Sequence, residues 1–224
     1  MSDNLSPATK LSESTRVEMF SDGVFAIVST ILVIELQVPH HEPGQLLPAL
    51  LHQWASLLGY VVSFIYIGIA WMNHHALFNR VQYVNLGLQW INLGILLTTA
   101  LLPFPTGVLA EALREGNLAD QQVAVALYAL TAGLMSAAWL PVFPYLRDHP
   151  ELIEEGTESA YFHMQRMRPW TGVILYLLAA AVGAFYPWGG LLLFLVMMLY
   201  HAVTSEGLQN APVLGRLFNE KRNS

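Results

Sequence analysis

The sequence predicts an all-α membrane protein with six transmembrane helices in a single domain. Hydrophobic residues make up 54% of the 224 residues and charged residues only 12%, about half the charged fraction of a soluble domain. Several apolar stretches reach or approach the roughly 20 residues that cross the hydrocarbon core of a bilayer. The lysines and arginines are also distributed asymmetrically between the segments that connect these stretches.

Polar residues, prolines and glycines separate the predicted spans. The six spans cover residues 17–37, 48–74, 83–108, 119–146, 168–185 and 187–205. Residues 1–15 form a polar tail without the apolar core of a cleaved signal peptide, and residues 206–224 form a C-terminal tail. We therefore expect one six-span membrane domain over residues 1–224.

Two boundaries leave alternatives open. Pro103 and Pro105 either end the third span or kink it, because membrane helices tolerate proline. Only five residues, 186–190, separate the last two spans, which predicts a tight helical hairpin. The alternative for that pair is a buried helical hairpin in a soluble protein. Glycines that favour close helix packing occur in this region at Gly172, Gly183, Gly189 and Gly190.

The basic residues predict the orientation of the spans. Nine of the ten lie on the side of the N-terminus, and only Arg114 lies on the other side. The nine are Lys10, Arg16, Arg80, Arg147, Arg166, Arg168, Arg216, Lys221 and Arg222. By the positive-inside rule, both termini are expected in the cytoplasm. The same split favours an even number of spans.

Composition also argues against several functional classes. The chain has no basic patch for nucleic acid and no cysteine for a disulfide, a thiolate nucleophile or a thiolate-bound zinc ion. His40 and His41 lack convincing further ligands for a metal. Ser29 and Ser63 have no obvious base at their depth, so we expect no enzyme activity, no cofactor and no structural metal.

The head of the first span contains unusual polar residues. Arg16, Ser21 and Asp22 precede a long apolar helix, and ionisable residues in a span need protein or water partners. The pattern Arg16-x-x-x-Phe20-Ser21-Asp22 resembles the signature of the transmembrane protein 175 family of potassium channels. Trp71-x-x-His74 in the second span strengthens this resemblance, which covers essentially the whole chain with its six-span layout.

The resemblance implies a potassium-selective or potassium-preferring cation channel in the cell membrane. Family members are tetramers in which the first helix of each subunit lines a central pore, without a filter of the TVGYG type. It implies K⁺ as the permeant ion, the lipid bilayer as surroundings and a homotetramer. The alternatives are a secondary ion transporter, for which no internal repeat or midplane charge is visible, and a proton-permeable cation leak channel.

One face of the first helix matches the pore that the resemblance implies. Ile27, Thr30, Ile31 and Ile34 share a face at the i, i+3, i+4, i+7 spacing. Ile27 matches the isoleucine constriction of the family, and a threonine at the position of Thr30 is implicated there in cation preference. Four copies would form stacked apolar rings, which conduct only when wide enough to hold water. Ordinary core packing or lipid contact is the alternative for such a stripe.

The signature residues are expected to brace this helix. Asp22 is too far round the helix to pair with Arg16, so each needs a partner on another helix. Trp71 and His74 are the natural candidates, at the same membrane depth, and Asn73 and His75 are alternates. The predicted network therefore comprises Arg16, Phe20, Ser21, Asp22, Trp71 and His74.

Two further groups of charged residues have two interpretations each. Four copies of Glu35 would concentrate cations at the outer mouth of a pore, or Glu35 is simply a solvated helix end. Arg166, Arg168 and His163 could bind lipid headgroups, or they reflect only the topology signal.

Overall fold

The computed structural model describes residues 12–156 and 165–204, and it is almost entirely helical. Its α-helices are α1 Thr15–Ile31, α2 Leu46–His52, α3 Trp54–Phe78, α4 Leu86–Ala100, α5 Pro103–Glu115, α6 Leu118–Ala138, α7 Val142–Asp148, α8 Met167–Gly183 and α9 Pro187–Thr204. Short 3-10 helices cover Leu32–Glu35 and Pro150–Leu152, and two strands, β1 Ser12–Glu13 and β2 Tyr83–Val84, form an antiparallel pair. The predicted C-terminal tail and residues 1–11 of the predicted N-terminal tail lie outside the described residues.

Five segments of the described chain are long and apolar enough to cross a membrane. They are Thr15–Glu35, Trp54–Phe78, Leu86–Glu115, Leu118–Asp148 and Pro187–Thr204. Helix α8 is apolar but has 17 residues, which corresponds to about 26 Å at 1.5 Å per residue, slightly less than the hydrocarbon thickness of about 30 Å. The predicted hairpin of the last two helices is present, because α8 and α9 are adjacent in sequence and packed together. A six-span topology stays a prediction.

Two predicted boundaries differ from the structure. The second span is not one continuous helix from residue 48, because the helix is interrupted at Gln53, between α2 and α3. The side-chain Nε2 of Gln53 donates a hydrogen bond to the Gln37 carbonyl at 2.6 Å. The third span does not end near residue 108. Pro103 starts α5 directly after α4, so the prolines kink this segment, which continues to Glu115. Gly116 ends it at φ 76°, where glycine is favoured.

The first helix packs through only one of its faces. Helix α1 contacts α3 and α4, and its buried residues follow the i, i+4, i+7, i+11 spacing of a helix face. They are Ser21, Phe25, Val28 and, in the following 3-10 helix, Leu32. The other face of α1 has no cover from the described chain.

Two large apolar clusters hold the helices together, and a small third cluster of Ala129, Ala179 and Ala180 joins α6 to α8. The larger cluster joins α1, α3, α5, α6, α8 and α9 through residues that include Phe25, Ile67, Tyr128, Tyr176 and Phe194. The smaller one lies around the end of α3, α4 and α7, and it includes Phe78, Val84, Leu88, Ile95 and Leu146. The smaller cluster therefore packs against the same end of α3 that carries Trp71 and His74.

A small sheet ties the start of α1 to the α3–α4 connection, which the sequence did not predict. Ser12 pairs with Val84 and Glu13 with Tyr83. The backbone N–H of Ser14 donates to the Gln82 carbonyl at 3.3 Å, and Val81 bridges to Ile153. These backbone bonds fix where α1 begins relative to α3 and α4.

Candidate functional site

The predicted stripe lies on the uncovered face of α1. Ile27 is 59% exposed, Ile31 41% and Ile34 69%, and Thr30 is also exposed. A run of large exposed apolar side chains on one helix face requires lipid or another protein surface as its neighbour. The described residues supply no such surface for these four side chains, and their assignment to a pore stays a prediction.

The change to a 3-10 helix keeps Ile34 in line with Ile31. Residues three apart eclipse one another in a 3-10 helix, and residues 32–35 adopt that geometry. Combining 1.5 Å per residue in α1 with 2.0 Å per residue in the 3-10 helix, Ile27 to Ile34 spans about 12 Å.

Thr30 is the polar member of the stripe, and its hydroxyl bonds within α1. Thr30 Oγ1 donates to the Ile27 carbonyl at 2.8 Å, and the Ala26 carbonyl lies at 3.1 Å. A hydroxyl has one proton and two acceptor lone pairs. Because the proton points back to the helix, the lone pairs of Thr30 remain available as acceptors on the exposed face, where they can face a cation or water.

Glu35 does not continue the stripe. The 3-10 geometry places it in line with Leu32, three residues earlier, which is fully buried. Its carboxylate lies against the backbone of Gly107 in α5, where a methyl group would clash with the carboxylate oxygen. In an uninterrupted α-helix, Glu35 would instead lie on the same face as Ile31, four residues earlier. A role at the pore mouth stays a prediction.

The structure brings Trp71 and Asp22 together across α3 and α1. The indole Nε1 of Trp71 donates to Asp22 Oδ1 at 2.8 Å. Trp71 is 41% exposed, and its ring stacks on that of His75 with centroids 5.8 Å apart. Asp22 thus has the interhelical partner that its place in an apolar segment requires.

His74 joins a buried chain of hydrogen bonds that crosses three helices. His74 Nε2 lies 2.7 Å from Asn92 Oδ1, and Asn92 Nδ2 donates to Ser21 Oγ at 3.0 Å. Ser21 Oγ in turn donates to the Val17 carbonyl at 2.8 Å. Because an amide oxygen can only accept, His74 Nε2 must carry a proton. The chain therefore runs in one direction, from α3 through α4 to α1.

Two predicted members of the network lie apart from it within one chain. Arg16 is exposed, and within residues 12–156 and 165–204 it has no ion-pair partner. Phe20 is 57% exposed. Asn73, an alternate partner for Asp22, lines a cavity between α3, α6 and α8 instead. The place of Arg16 and Phe20 in the network stays a prediction.

Sequence reasoning missed Asn92, the residue that links α4 to the other two helices. It is 2% exposed, and it lies in a segment that is otherwise largely apolar. A buried amide in a candidate span is itself a signal, but nothing local indicates that its partners are Ser21 and His74, which lie on other helices.

A second buried polar cluster was also missed. Ser63 Oγ lies 2.8 Å from Thr106 Oγ1 and 2.7 Å from Tyr128 OH, so three hydroxyls join α3, α5 and α6. Thr106 also donates to the Leu102 carbonyl at 2.8 Å. Among the described residues, the partners of the Ser63 hydroxyl are therefore two other hydroxyls, which is the arrangement of a structural contact between helices. Among residues 12–156 and 165–204, no cluster of three or more His, Asp or Glu side chains could hold a metal ion.

Residues 16–103 match the family described as "Endosomal/lysosomal potassium channel TMEM175". This range includes the signature residues at the head of α1, Trp71 and His74 in α3, and Asn92. A protein of Streptomyces collinus that is named a potassium channel is 41% identical over 159 residues, which cover 70% of this chain and 76% of that protein.

A solved structure gives the same result for the fold. The crystal structure of a "lysosomal potassium-selective channel TMEM175 homolog" from Chamaesiphon minutus superposes with a TM-score of 0.74 at 31% identity, over 86% of this chain and 98% of the other. A relative from Gallus gallus, named an endosomal/lysosomal proton channel, is 29% identical over 159 residues, 65% of this chain and 32% of that longer protein.

Proposed function

The chain belongs to the TMEM175 family, and from this premise we propose that it is a potassium-selective or potassium-preferring cation channel. The proposal includes one six-span domain over residues 1–224, assembled as a homotetramer in the cell membrane with both termini in the cytoplasm. Its relatives named above are called channels, and the proposal includes no catalytic activity.

The observation that carries the proposal is the uncovered face of α1. The segment Thr15–Glu35 is the least covered of the candidate spans in the described chain, with 22% of its most apolar stretch buried. Around a fourfold axis, the exposed face of α1 would become the wall of a pore. Ile27, Ile31 and Ile34 would then form apolar rings, and Thr30 would supply hydroxyl oxygens between them.

Such a pore would select ions without a carbonyl filter. Apolar rings oppose a hydrated ion unless the pore is wide enough to stay wet. A ring of threonine oxygens at the narrow region would replace part of the hydration shell of an ion that has lost some water. Arg16 and Phe20, which are exposed at the head of α1, would then contact neighbouring subunits.

The braced head of α1 supports the same proposal. Asp22 bonds to Trp71, and Ser21 bonds through Asn92 to His74. These contacts hold the buried face of α1 against α3 and α4. They thereby fix the rotation of α1 about its own axis, and with it the orientation of the opposite, exposed face. None of the bonded groups lies on the stripe, and we therefore assign them to positioning the helix and not to binding ions.

Reconstituted flux tests this proposal. Purified protein in liposomes with an outward K⁺ gradient should move K⁺ faster than Na⁺, with flux that follows the K⁺ gradient and needs no second ion. Flux that depends on a gradient of another ion would indicate a transporter instead. Native mass spectrometry of the same preparation should give the mass of four chains, and a monomer would contradict the shared pore.

Proton permeation is a second candidate, favoured by the names of the animal relatives, which are called proton channels. A pH-sensitive dye trapped inside the liposomes separates the two. With the K⁺ gradient clamped to zero, acidification under a pH gradient alone would indicate that protons are a principal permeant ion.

A further inference from the structure

We propose that a cavity between α3, α6, α8 and α9 binds the phosphate group of an anionic phospholipid. The cavity has a volume of about 110 Å³, well above the roughly 10 to 15 Å³ that one water molecule needs by the same measure. It therefore has room for a headgroup phosphate, while the acyl chains would lie outside along the helices. The proposal does not depend on which ion the protein conducts.

Arg168 supplies a positive charge at this cavity. It is half-buried in the first turn of α8, and one of its guanidinium nitrogens donates to the backbone carbonyl of Thr204 in the last turn of α9. In the part of the chain that the structure describes, no carboxylate pairs with it. A guanidinium has five N–H donors, so donors remain for phosphate oxygens, which Arg binds well.

His201 adds a buried nitrogen without a partner. Its Nε2 is inaccessible to solvent and has no hydrogen bond among the described residues, although buried polar atoms nearly always have one. Gly172 allows close packing here, because a methyl group at this position would lie 2.6 Å from Ser136 Oγ and 3.3 Å from Nε2 of His201. Ser136 and Asn73 line the cavity with His201 and can donate to a bound anion.

The rest of the lining and the place of the cavity select a lipid over a soluble anion. Leu77, Trp139 and Phe143 form an apolar wall, and tryptophan is typical of the membrane interface. The cavity lies at the end of α3 and the start of α8, on the side where basic residues predict the cytoplasm. Anionic lipids are concentrated in that leaflet, where each basic residue contributes to their attraction.

A titration with two lipids tests the proposal. The full chain in detergent micelles is mixed with phosphatidylglycerol or with phosphatidylcholine of the same acyl chains, and bound lipid is counted by native mass spectrometry. The variant Arg168→Gln should bind phosphatidylglycerol about tenfold more weakly, which corresponds to about 1.4 kcal/mol. The matched control is Arg166→Gln, which removes an exposed arginine two residues away and should change the affinity by less than about twofold.

A second variant keeps the test valid if Arg168→Gln loses its contact with α9 and unfolds. Ala76→Phe fills the cavity from α3 without altering any charge, and it should abolish the preference for phosphatidylglycerol. Arg168→Lys should retain part of that preference, because it keeps the charge but not the paired donors.

Several results would overturn the proposal. Equal losses in Arg166→Gln and Arg168→Gln would indicate general surface charge, and equal binding of the two lipids would exclude recognition of the anion. Full affinity in Ala76→Phe would place the lipid elsewhere. Displacement of phosphatidylglycerol by excess inorganic phosphate would show that the site takes a soluble anion, and failure of phosphate to displace it supports the lipid.

Discussion

Removal of Asn92 tests the bracing of α1 most directly. In Asn92→Leu, two hydrogen bonds disappear, one to His74 and one to Ser21. Ser21 loses little, since its hydroxyl still donates to the Val17 carbonyl. His74, however, is 1% exposed and keeps an Nε2 proton without an acceptor.

The expected cost follows from these two different losses. Interhelical hydrogen bonds in membranes are worth about 0.6 kcal/mol each on average, so the two bonds alone account for about 1 kcal/mol. A buried donor left without a partner adds about 1 to 3 kcal/mol. The stranded proton of His74 therefore causes half or more of the destabilisation, and we expect a total of about 2 to 4 kcal/mol.

Thermal unfolding in detergent measures this cost. For a chain of this size, 1 kcal/mol corresponds to a change in melting temperature of about 2 to 4 °C, so Asn92→Leu should melt about 4 to 16 °C lower than wild type. Gln89→Ala serves as the control. Gln89 lies one turn earlier on α4, and its side chain makes no hydrogen bond to another helix in the described chain. Its melting temperature should change by less than about 2 °C.

The double variant Asn92→Leu with His74→Phe discriminates between the two losses. Replacing both polar partners by apolar groups leaves no stranded donor, and such replacements can be nearly neutral. A phenyl ring also suits the position, because the His74 ring already contacts two phenyl rings. The centroid of the His74 ring lies 4.4 Å from that of Phe78 and 5.3 Å from that of Phe25. The double variant should recover most of the lost stability. If it melts as low as Asn92→Leu, or if Asn92→Leu melts like wild type, the stranded-donor argument is refuted.

The remaining predictions concern the stripe and the helical hairpin. Ile27→Asn should raise K⁺ flux in liposomes and weaken K⁺ over Na⁺ preference, because a polar ring removes the barrier to water; unchanged flux and preference would contradict pore lining. Thr30→Val keeps the shape but removes the oxygen, so the preference for K⁺ over Na⁺ should fall, and an unchanged permeability ratio would show that this oxygen does not face the ion. Gly190→Ala should lower the melting temperature, since the new methyl would lie 2.6 Å from the Gly183 Cα, whereas Gly68→Ala, where a methyl meets nothing within 4 Å, should be neutral or slightly stabilising by up to about 1 kcal/mol. Equal effects of these two glycine variants would show that backbone contact between α8 and α9 does not limit packing.

At the head of α1, the sequence predicts some side-chain contacts between helices correctly and others incorrectly. The charge distribution places Trp71 and Asp22 at one membrane depth, which predicts that they pair, and their side chains do bond. The same reasoning predicts His74 as a partner, but His74 bonds to Asn92. Depth follows from position along a span, whereas the choice between neighbouring partners depends on how three helices rotate against each other.

The sequence by itself determined the membrane character, the helical content and the stripe of Ile27, Thr30, Ile31 and Ile34 on one face of the first helix. These are local properties, because transfer into lipid depends on the composition of one segment and amphipathicity depends on the spacing within one helix. It also carried the signature that identifies the family. No knowledge of contacts between distant parts of the chain was needed for any of these.

Only the tertiary structure decided the rest. Asn92 meets Ser21 across 71 positions of sequence, and Arg168 meets Thr204 across 36, so neither contact has a local signal. Glu35 turns toward Gly107 because the helix tightens to 3-10 geometry at its end, and that change moves a side chain from one face to another. The cavity at Arg168 lies between α3, α6, α8 and α9. It results from the way these four helices pack, and no single segment of sequence indicates it.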